Sequence, residues 1–303
     1  MQIRFSFDFC LCTSRSGRIF FAPNGVRLVD MGDVEKSNHY DVIGEIRRQK
    51  PLVHAITNPV TMTDVVNLIL ASGATAICAD DPKEAEEISA ISDVTLLNIG
   101  MPSDGKLEAM LAAGKKANEL GHPLILDPVG AGASPYRRKF LERLLSELHP
   151  TCIRGNQSEM AALMGLVFPS KGVEDVGLSL DPLKLRKLAR ELDTVLAVTG
   201  EVDYAVSPDR VLAGTSGTPL LKRITGSGCM LSGFLAASIG AWNKVMENSN
   251  GNHEDLLSLV HESLLLYGHL AELAEEEMKT RAWMGTMTFR TLFIDAVSQA
   301  AWW

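Results

Sequence analysis

The sequence predicts an α/β fold: a largely parallel sheet with helices on both faces, three layers in all. Three observations lead there. From about residue 51, short apolar runs alternate with amphipathic segments. Two of the amphipathic segments open with a cap residue followed by proline, Ser134-Pro135 and Asp181-Pro182. The apolar runs end in polar, glycine-rich stretches, as loops beyond parallel strands do. Strand–helix alternation needs crossovers, and crossovers put helices on both faces of the sheet.

The elements follow in order. Leu52 to Thr57 reads as a strand, and Thr63 to Ser72 as a helix with Val65, Val66, Leu68, Ile69 and Leu70 apolar. Ala76 to Ala79 is a strand, Pro82 to Ile91 a helix, Val94 to Ile99 a strand and Leu107 to Leu120 a helix. Pro123 to Asp127 is a strand. Ser134 caps a helix running to about Leu148, Cys152 to Arg154 ends a strand, and Gln157 to Leu166 is a helix. Asp181 caps a helix to about Leu192. Val195 to Thr199 is a strand, and Tyr204 to Ala213 is a hairpin around Pro208-Asp209. The rest is helical, ending with Phe289 to Ala301. Residues 31–303 read as one domain. Residues 1–30, with four arginines, two acids and no clear period, read as a disordered extension or a misassigned start.

Composition excludes several classes. Of 303 residues, 46% are hydrophobic and 22% charged, and the net charge of -8 repels polyanions, so nucleic acid and anionic membranes are not expected partners. Five cysteines make no disulfide framework and fit a reducing cytoplasm. Cys10 and Cys12 lack the neighbours of a zinc site. The uncharged stretch between Arg223 and Lys244 is helical only from about Cys229 to Trp242. That is about 21 Å, short of the roughly 30 Å hydrocarbon core.

Ligands of open α/β sheets bind beyond the carboxyl ends of the strands. Those ends here read His54-Ala55-Ile56-Thr57-Asn58, Asn98-Ile99-Gly100, Asp127-Pro128-Val129-Gly130-Ala131-Gly132, Arg154-Gly155-Asn156-Gln157-Ser158-Glu159 and Val198-Thr199-Gly200-Glu201-Val202-Asp203. Each alone is ordinary turn chemistry. Five at one rim point to a site. Ile224-Thr225-Gly226-Ser227-Gly228-Cys229 then opens a long apolar helix, and its backbone N–H groups form an anion hole. It is neither a Walker loop nor a dinucleotide fingerprint. Cys229 stands in the first turn, where a helix start is expected to lower a thiol pKa. Asn156 and Glu159 form an Asn-x-x-Glu pair at a strand–helix junction. Glu159 there suits either a helix cap or a Mg²⁺ held through water.

In these motifs and their order the chain resembles the hydroxyethylthiazole kinases of the ribokinase-like superfamily, over roughly residues 40–300. Cysteine at 229 is the most diagnostic feature, because most of that superfamily carries aspartate as the base. The resemblance implies a ribokinase-like fold, ATP, Mg²⁺ and 4-methyl-5-(2-hydroxyethyl)thiazole, used in thiamine salvage. It also implies a homotrimer with active sites between subunits. By the same resemblance, Arg154 and Thr199 go to the ATP phosphates, and Asn156 and Glu159 to the magnesium motif with Asp127 beside them. Gly226 goes to the thiazole alcohol, Asn58 and Cys78 to the thiazole pocket, and Cys229 with Gly226, Ser227 and Gly228 to catalysis.

Two departures stand out. Cys78 replaces the family's usual methionine, and Gly285-Thr286-Met287-Thr288-Phe289 replaces its Gly-Pro-Gly-Ser/Thr-Phe. The alternatives are a pyrimidine or sugar kinase of the same superfamily, a hydrolase using Cys229 with His54 as base, and a nucleotide sensor without catalysis.

Overall fold

The computed structural model describes residues 41–166, 180–248 and 256–300. The expected N-terminal extension and the Cys10/Cys12 pair lie outside the described residues.

The elements alternate as the sequence predicts. They are α1 (Val42–Gln49), β1 (Leu52–Ile56), α2 (Met62–Ser72), β2 (Thr75–Ile77), α3 (Ala85–Ile91), β3 (Val94–Asn98), α4 (Asp104–Leu120), β4 (Leu124–Asp127) and α5 (Pro135–Leu145). Then come β5 (Cys152–Asn156), α6 (Gln157–Leu163), α7 (Pro182–Leu192), β6 (Val195–Thr199), β7 (Asp203–Val206) and β8 (Val211–Gly214). A 3₁₀ turn at Pro219–Arg223 leads to α8 (Ser227–Asn248), α9 (Leu256–Thr280) and α10 (Thr286–Ala300).

The eight strands form one sheet in the order β2-β1-β3-β4-β5-β6-β7-β8. β1 to β6 are parallel, and the β7–β8 hairpin continues the sheet antiparallel. The period of two along each strand divides the core. Val53, Ala55, Val94, Leu96, Ile125, Cys152 and Ala197 face a cluster built with α1, α2, α8, α9 and α10. Ile56, Leu97, Leu126, Ile153, Leu196 and Val198 face the other, built with α3 to α7. The fold is thus three layers.

Departures from expectation have local causes. Helix α1 precedes the region where the ordered pattern was expected to start, and Asp41 caps it by accepting from Gly44 N. α3 begins at Ala85 rather than Pro82, because Asp81 Oδ1 accepts from Lys83 N at 2.9 Å and closes a turn there. α4 begins at Asp104, three residues early, under a Ser103 cap. α6 stops at Leu163, before the left-handed Gly165 at φ 71°. α8 does not end at Trp242 but runs 22 residues to Asn248. None of the helices among the described residues is long and apolar enough to cross a membrane.

Candidate active site

The parallel strands end together, and the register puts their last residues side by side. Asn98 pairs with Asp127 across β3 and β4, and Asn156 with Thr199 across β5 and β6. Asn98 is the hub. Gly100 N donates to its Oδ1 at 2.9 Å, which fixes which way the amide points. Its Nδ2 then donates to Asp127 Oδ2 at 2.7 Å and to Cys229 Sγ at 3.2 Å. Asn58 Nδ2 donates to Asn98 Oδ1 at 3.1 Å and reaches Sγ at 3.6 Å. Ser232, one turn into α8, donates to Asp127 Oδ2 at 2.7 Å.

The glycine loop closes over this cluster. Gly226 holds φ 81°, a left-handed conformation that side chains rarely adopt, and a Cβ there would sit 2.5 Å from Thr61 Cγ2. Ser227, Gly228 and Cys229 form the first turn of α8, whose N–H groups have no intrahelical acceptor. Arg154 lies against Gly228, and its Nη2 donates to Thr199 Oγ1 at 2.8 Å. A buried guanidinium and a helix start converge here, and both favour an anion. Three buried polar atoms of the strand ends have no hydrogen-bond partner: Thr57 Oγ1, Asp127 Oδ1 and Arg154 Nε. Such orphans cost stability unless a ligand or water satisfies them, so they mark a polar binding site.

Acidic groups around the loop are strained. Burial pushes the Asp127 carboxyl up, against the pull of Arg154, whose Nη1 is 4.0 Å from Oδ1. Glu159 is pushed up to about 7 by burial and then by the charge of Asp127. Both its oxygens are in use: Oε1 accepts from Gly130 N at 2.9 Å and Oε2 from Asn156 N at 2.8 Å. Asn156 Oδ1 accepts from Glu159 N at 2.9 Å, completing a capping box. Asp203, half-buried near Arg154, accepts from Gly200 N at 3.0 Å, and its partial desolvation raises its pKa to about 6.

The expectation that the helix start lowers the Cys229 pKa is overturned. Burial, then the charge of Asp127, raise it. A thiol this deep loses more water than one helix terminus can replace. The remaining expected residues separate into two places. Asn58, Asp127, Arg154, Asn156, Glu159, Thr199, Gly226, Ser227, Gly228 and Cys229 gather at one rim. Cys78 does not join them: it is exposed just past edge strand β2, near Asp80. His54 cannot serve Cys229. Its Nε2 is engaged by the Ala79 carbonyl at 2.8 Å, and burial lowers its pKa.

Sequence reading assigned no role to several supports of the site. Asn98 and Asp203 lie inside quoted motifs, but their partners come from distant segments. Arg137 left a signal. It occupies the first turn of α5, where a cation opposes the helix dipole. It is held there by the carbonyls of Ile99 (3.1 Å), Val129 (2.8 Å) and Gly100 (2.6 Å), tying two rim loops together. Buried Lys106 donates to the Thr57 carbonyl at 2.7 Å, next to Asn58.

A parallel sheet, a glycine-led helix start over its carboxyl ends and a buried arginine beside paired acids define a kinase of the ribokinase-like class. The match to known proteins narrows this. The hydroxyethylthiazole kinase family matches residues 43–301, and the chain belongs to that family. It is 37% identical over 267 residues to a hydroxyethylthiazole kinase of Clostridium beijerinckii, covering 85% of this chain and 90% of that one. It is 39% identical over 259 residues to one of Listeria monocytogenes, with the same coverage of 85% and 90%. A solved hydroxyethylthiazole kinase protein from Pyrococcus horikoshii superposes with a TM-score of 0.71 at 33% identity, covering 86% of this chain and 92% of that one. A ribokinase-like superfamily protein from Enterococcus faecalis shares the fold at 10% identity and a TM-score of 0.57 over 91% and 92% of the two chains.

Proposed function

We propose that this chain transfers the γ-phosphoryl group of ATP to the primary alcohol of 4-methyl-5-(2-hydroxyethyl)thiazole, in thiamine salvage. The observation that carries the reading is the placement of Cys229. Its sulfur is held by Asn98 and Asn58 at the start of α8, in the same rim as buried Arg154. The alcohol oxygen bonds to the γ-phosphorus as the bond to the β-phosphate oxygen breaks. The alcohol proton passes to the Cys229 thiolate, the minor form of a thiol with a raised pKa. A loose transition state releases that proton late, so a base present in small fraction is enough. Arg154 and Thr199 hold the phosphates, and the N–H groups of the Gly226-Ser227-Gly228 turn take the charge that builds on the transferred group. Asn156 shapes the Arg154 rim through its cap.

The residues fit a magnesium ion. Asp127 Oδ1 is buried and accepts no hydrogen bond, and the charge of Asp127 helps raise the Glu159 pKa. Mg²⁺ takes one or two carboxylates together with phosphate oxygens and water. Asp127 and Glu159 would hold it, Glu159 through water because both its oxygens already accept backbone N–H groups. The ion supplies charge neutralisation at the phosphates when bound.

Asn58 and Gly226 bound the alcohol. Cys78 lines the thiazole pocket, and its exposure just past an edge strand supports a homotrimer whose sites lie between subunits. The absence of His54 from the Cys229 contacts weighs against the hydrolase reading. Residues 31–303 act as one kinase domain in the cytoplasm.

The test is ATP consumption with Mg²⁺ across thiazole, pyrimidine and sugar alcohols. Rapid turnover is expected only with the hydroxyethylthiazole. Preference for a pyrimidine or sugar alcohol would sink the substrate assignment and leave the kinase class standing.

A further inference from the structure

Tyr267 lies on α9, far along the chain from every strand end, yet its hydroxyl donates to the Ser227 carbonyl at 2.6 Å. Its ring is buried among aromatic side chains from the two other C-terminal helices. The ring centroids are 6.1 Å from Phe234 on α8 and 4.9 Å from Phe293 on α10, the latter edge to face. Phe289 stacks on Phe293 at 6.2 Å. Burial pushes the phenol pKa far up, so the hydroxyl keeps its proton and can only be a donor toward a carbonyl.

A tyrosine hydroxyl in such apolar surroundings costs stability unless it is satisfied, and phenylalanine would fill the same space at no such cost. The acceptor it finds is one particular peptide. The carbonyl of Ser227 and the N–H of Gly228 belong to the same peptide unit, in the first turn of α8. Gly228 in turn lies against the Arg154 guanidinium. A hydrogen bond donated to a peptide carbonyl polarises that peptide and strengthens its own N–H as a donor. It also fixes the peptide plane, and oxyanion-type stabilisation depends on donors held in place beforehand.

We propose that Tyr267 is a positioning residue of the anion hole, orienting and polarising the Ser227–Gly228 peptide so that its N–H stabilises the transferring phosphoryl group. The inference rests on the phosphoryl-transfer reading of this site. Tyr267 touches neither substrate, and acts through the loop.

The experiment compares wild type, Tyr267→Phe and Phe293→Leu. It measures kcat, both KM values, thermal stability and the affinity for inorganic pyrophosphate by calorimetry. Removing a donor that acts through one peptide should lower kcat roughly 5–30-fold, less than losing a direct oxyanion donor. KM for the alcohol should stay within about twofold, and pyrophosphate should bind more weakly. Phe293→Leu loosens the same aromatic packing and keeps the hydroxyl, so it should lose stability while retaining kcat and pyrophosphate affinity. Unchanged kcat in folded Tyr267→Phe overturns the proposal. So does an equal loss of kcat in both variants, or a Tyr267→Phe chain that cannot fold, since either makes the residue a packing element. If wild type phosphorylates no alcohol, the function reading fails. Pyrophosphate binding then decides the role of Tyr267 by itself.

Discussion

Gly228 and Arg154 are packed so closely that a β-carbon on Gly228 would lie 3.0 Å from the Arg154 guanidinium carbon, and closer still to one of its nitrogens. The glycine is required by the arginine, not by its own backbone angle. The helix start and the cation can therefore act on one anion only while residue 228 has no side chain. Gly228→Ala should displace Arg154 from Thr199 and lower kcat/KM by about 10²-fold, the usual cost of misplacing a reacting group by roughly 1 Å. Arg154→Ala should raise KM for ATP more than KM for the alcohol, because the guanidinium fork pairs with phosphate oxygens. Steady-state kinetics on both variants checks this. Loss of alcohol binding with nucleotide binding intact would reverse the assigned roles.

Gly226 carries a different constraint. Its φ of 81° and the 2.5 Å approach of Thr61 Cγ2 both exclude a side chain. Gly226→Ala should cost about 1–3 kcal/mol of local strain and move the loop. Adding Thr61→Ser removes the nearest methyl group and should restore part of the lost kcat, leaving the backbone strain. Wild-type kinetics in Gly226→Ala alone would place the loop outside the reaction.

Much of this was legible in the sequence, for reasons that differ between elements. Alternating apolar runs report burial directly, so the order of strands and helices could be read from β1 to the β7–β8 hairpin. The rim motifs could be read because five polar, glycine-rich strand ends at one rim are more than turn chemistry alone requires. What could not be read were contacts closed by distant segments. Nothing near Asp127 announces Ser232, which is 105 positions away. The fall of the Cys229 pKa at a helix start was a sound local inference. It failed because burial and Asp127 come from the tertiary fold. Cys78 lies just past edge strand β2 and is exposed, away from the rim that its place in the motif order led one to expect.

Asp203 gives the chain a pH signature. Burial raises its pKa to about 6, against about 3.9 in an unfolded chain. Between those values the native state holds a proton that the unfolded state has released, so stability falls as pH rises from about 4 to about 6. Asp203→Asn keeps an acceptor for Gly200 N and removes the titration. In ligand-free protein, the stability of the variant relative to wild type should increase by on the order of 1–3 kcal/mol across that window. Denaturant melts at pH 4.5, 5.5 and 7 measure the difference. A constant difference across the three would mean that Asp203 stays ionised in the folded chain.

The base is the last question, and Cys229 answers it by substitution. Asn98 Nδ2 lies 3.2 Å from its sulfur and 2.7 Å from Asp127 Oδ2, so the residue at 229 shares a donor with a buried acid. Cys229→Ala should lower kcat by about 10²-fold or more if the thiolate accepts the alcohol proton, since general-base catalysis is typically worth about 10²–10⁴. Cys229→Asp should keep substantial activity and exceed wild type below pH 7. An aspartate in water has a pKa of about 3.9, and even raised by burial and Asp127 it ionises more readily than this thiol. The two variants should also differ in slope. The wild-type rate should climb with pH between 6 and 9 as the thiolate fraction grows, while the Cys229→Asp rate should level off at lower pH. Measured kcat for the three proteins over pH 6–9 decides it. Wild-type rates in Cys229→Ala would leave catalysis to the anion hole and Mg²⁺. A folded, ATP-binding but inactive Cys229→Asp would instead require sulfur chemistry at this position.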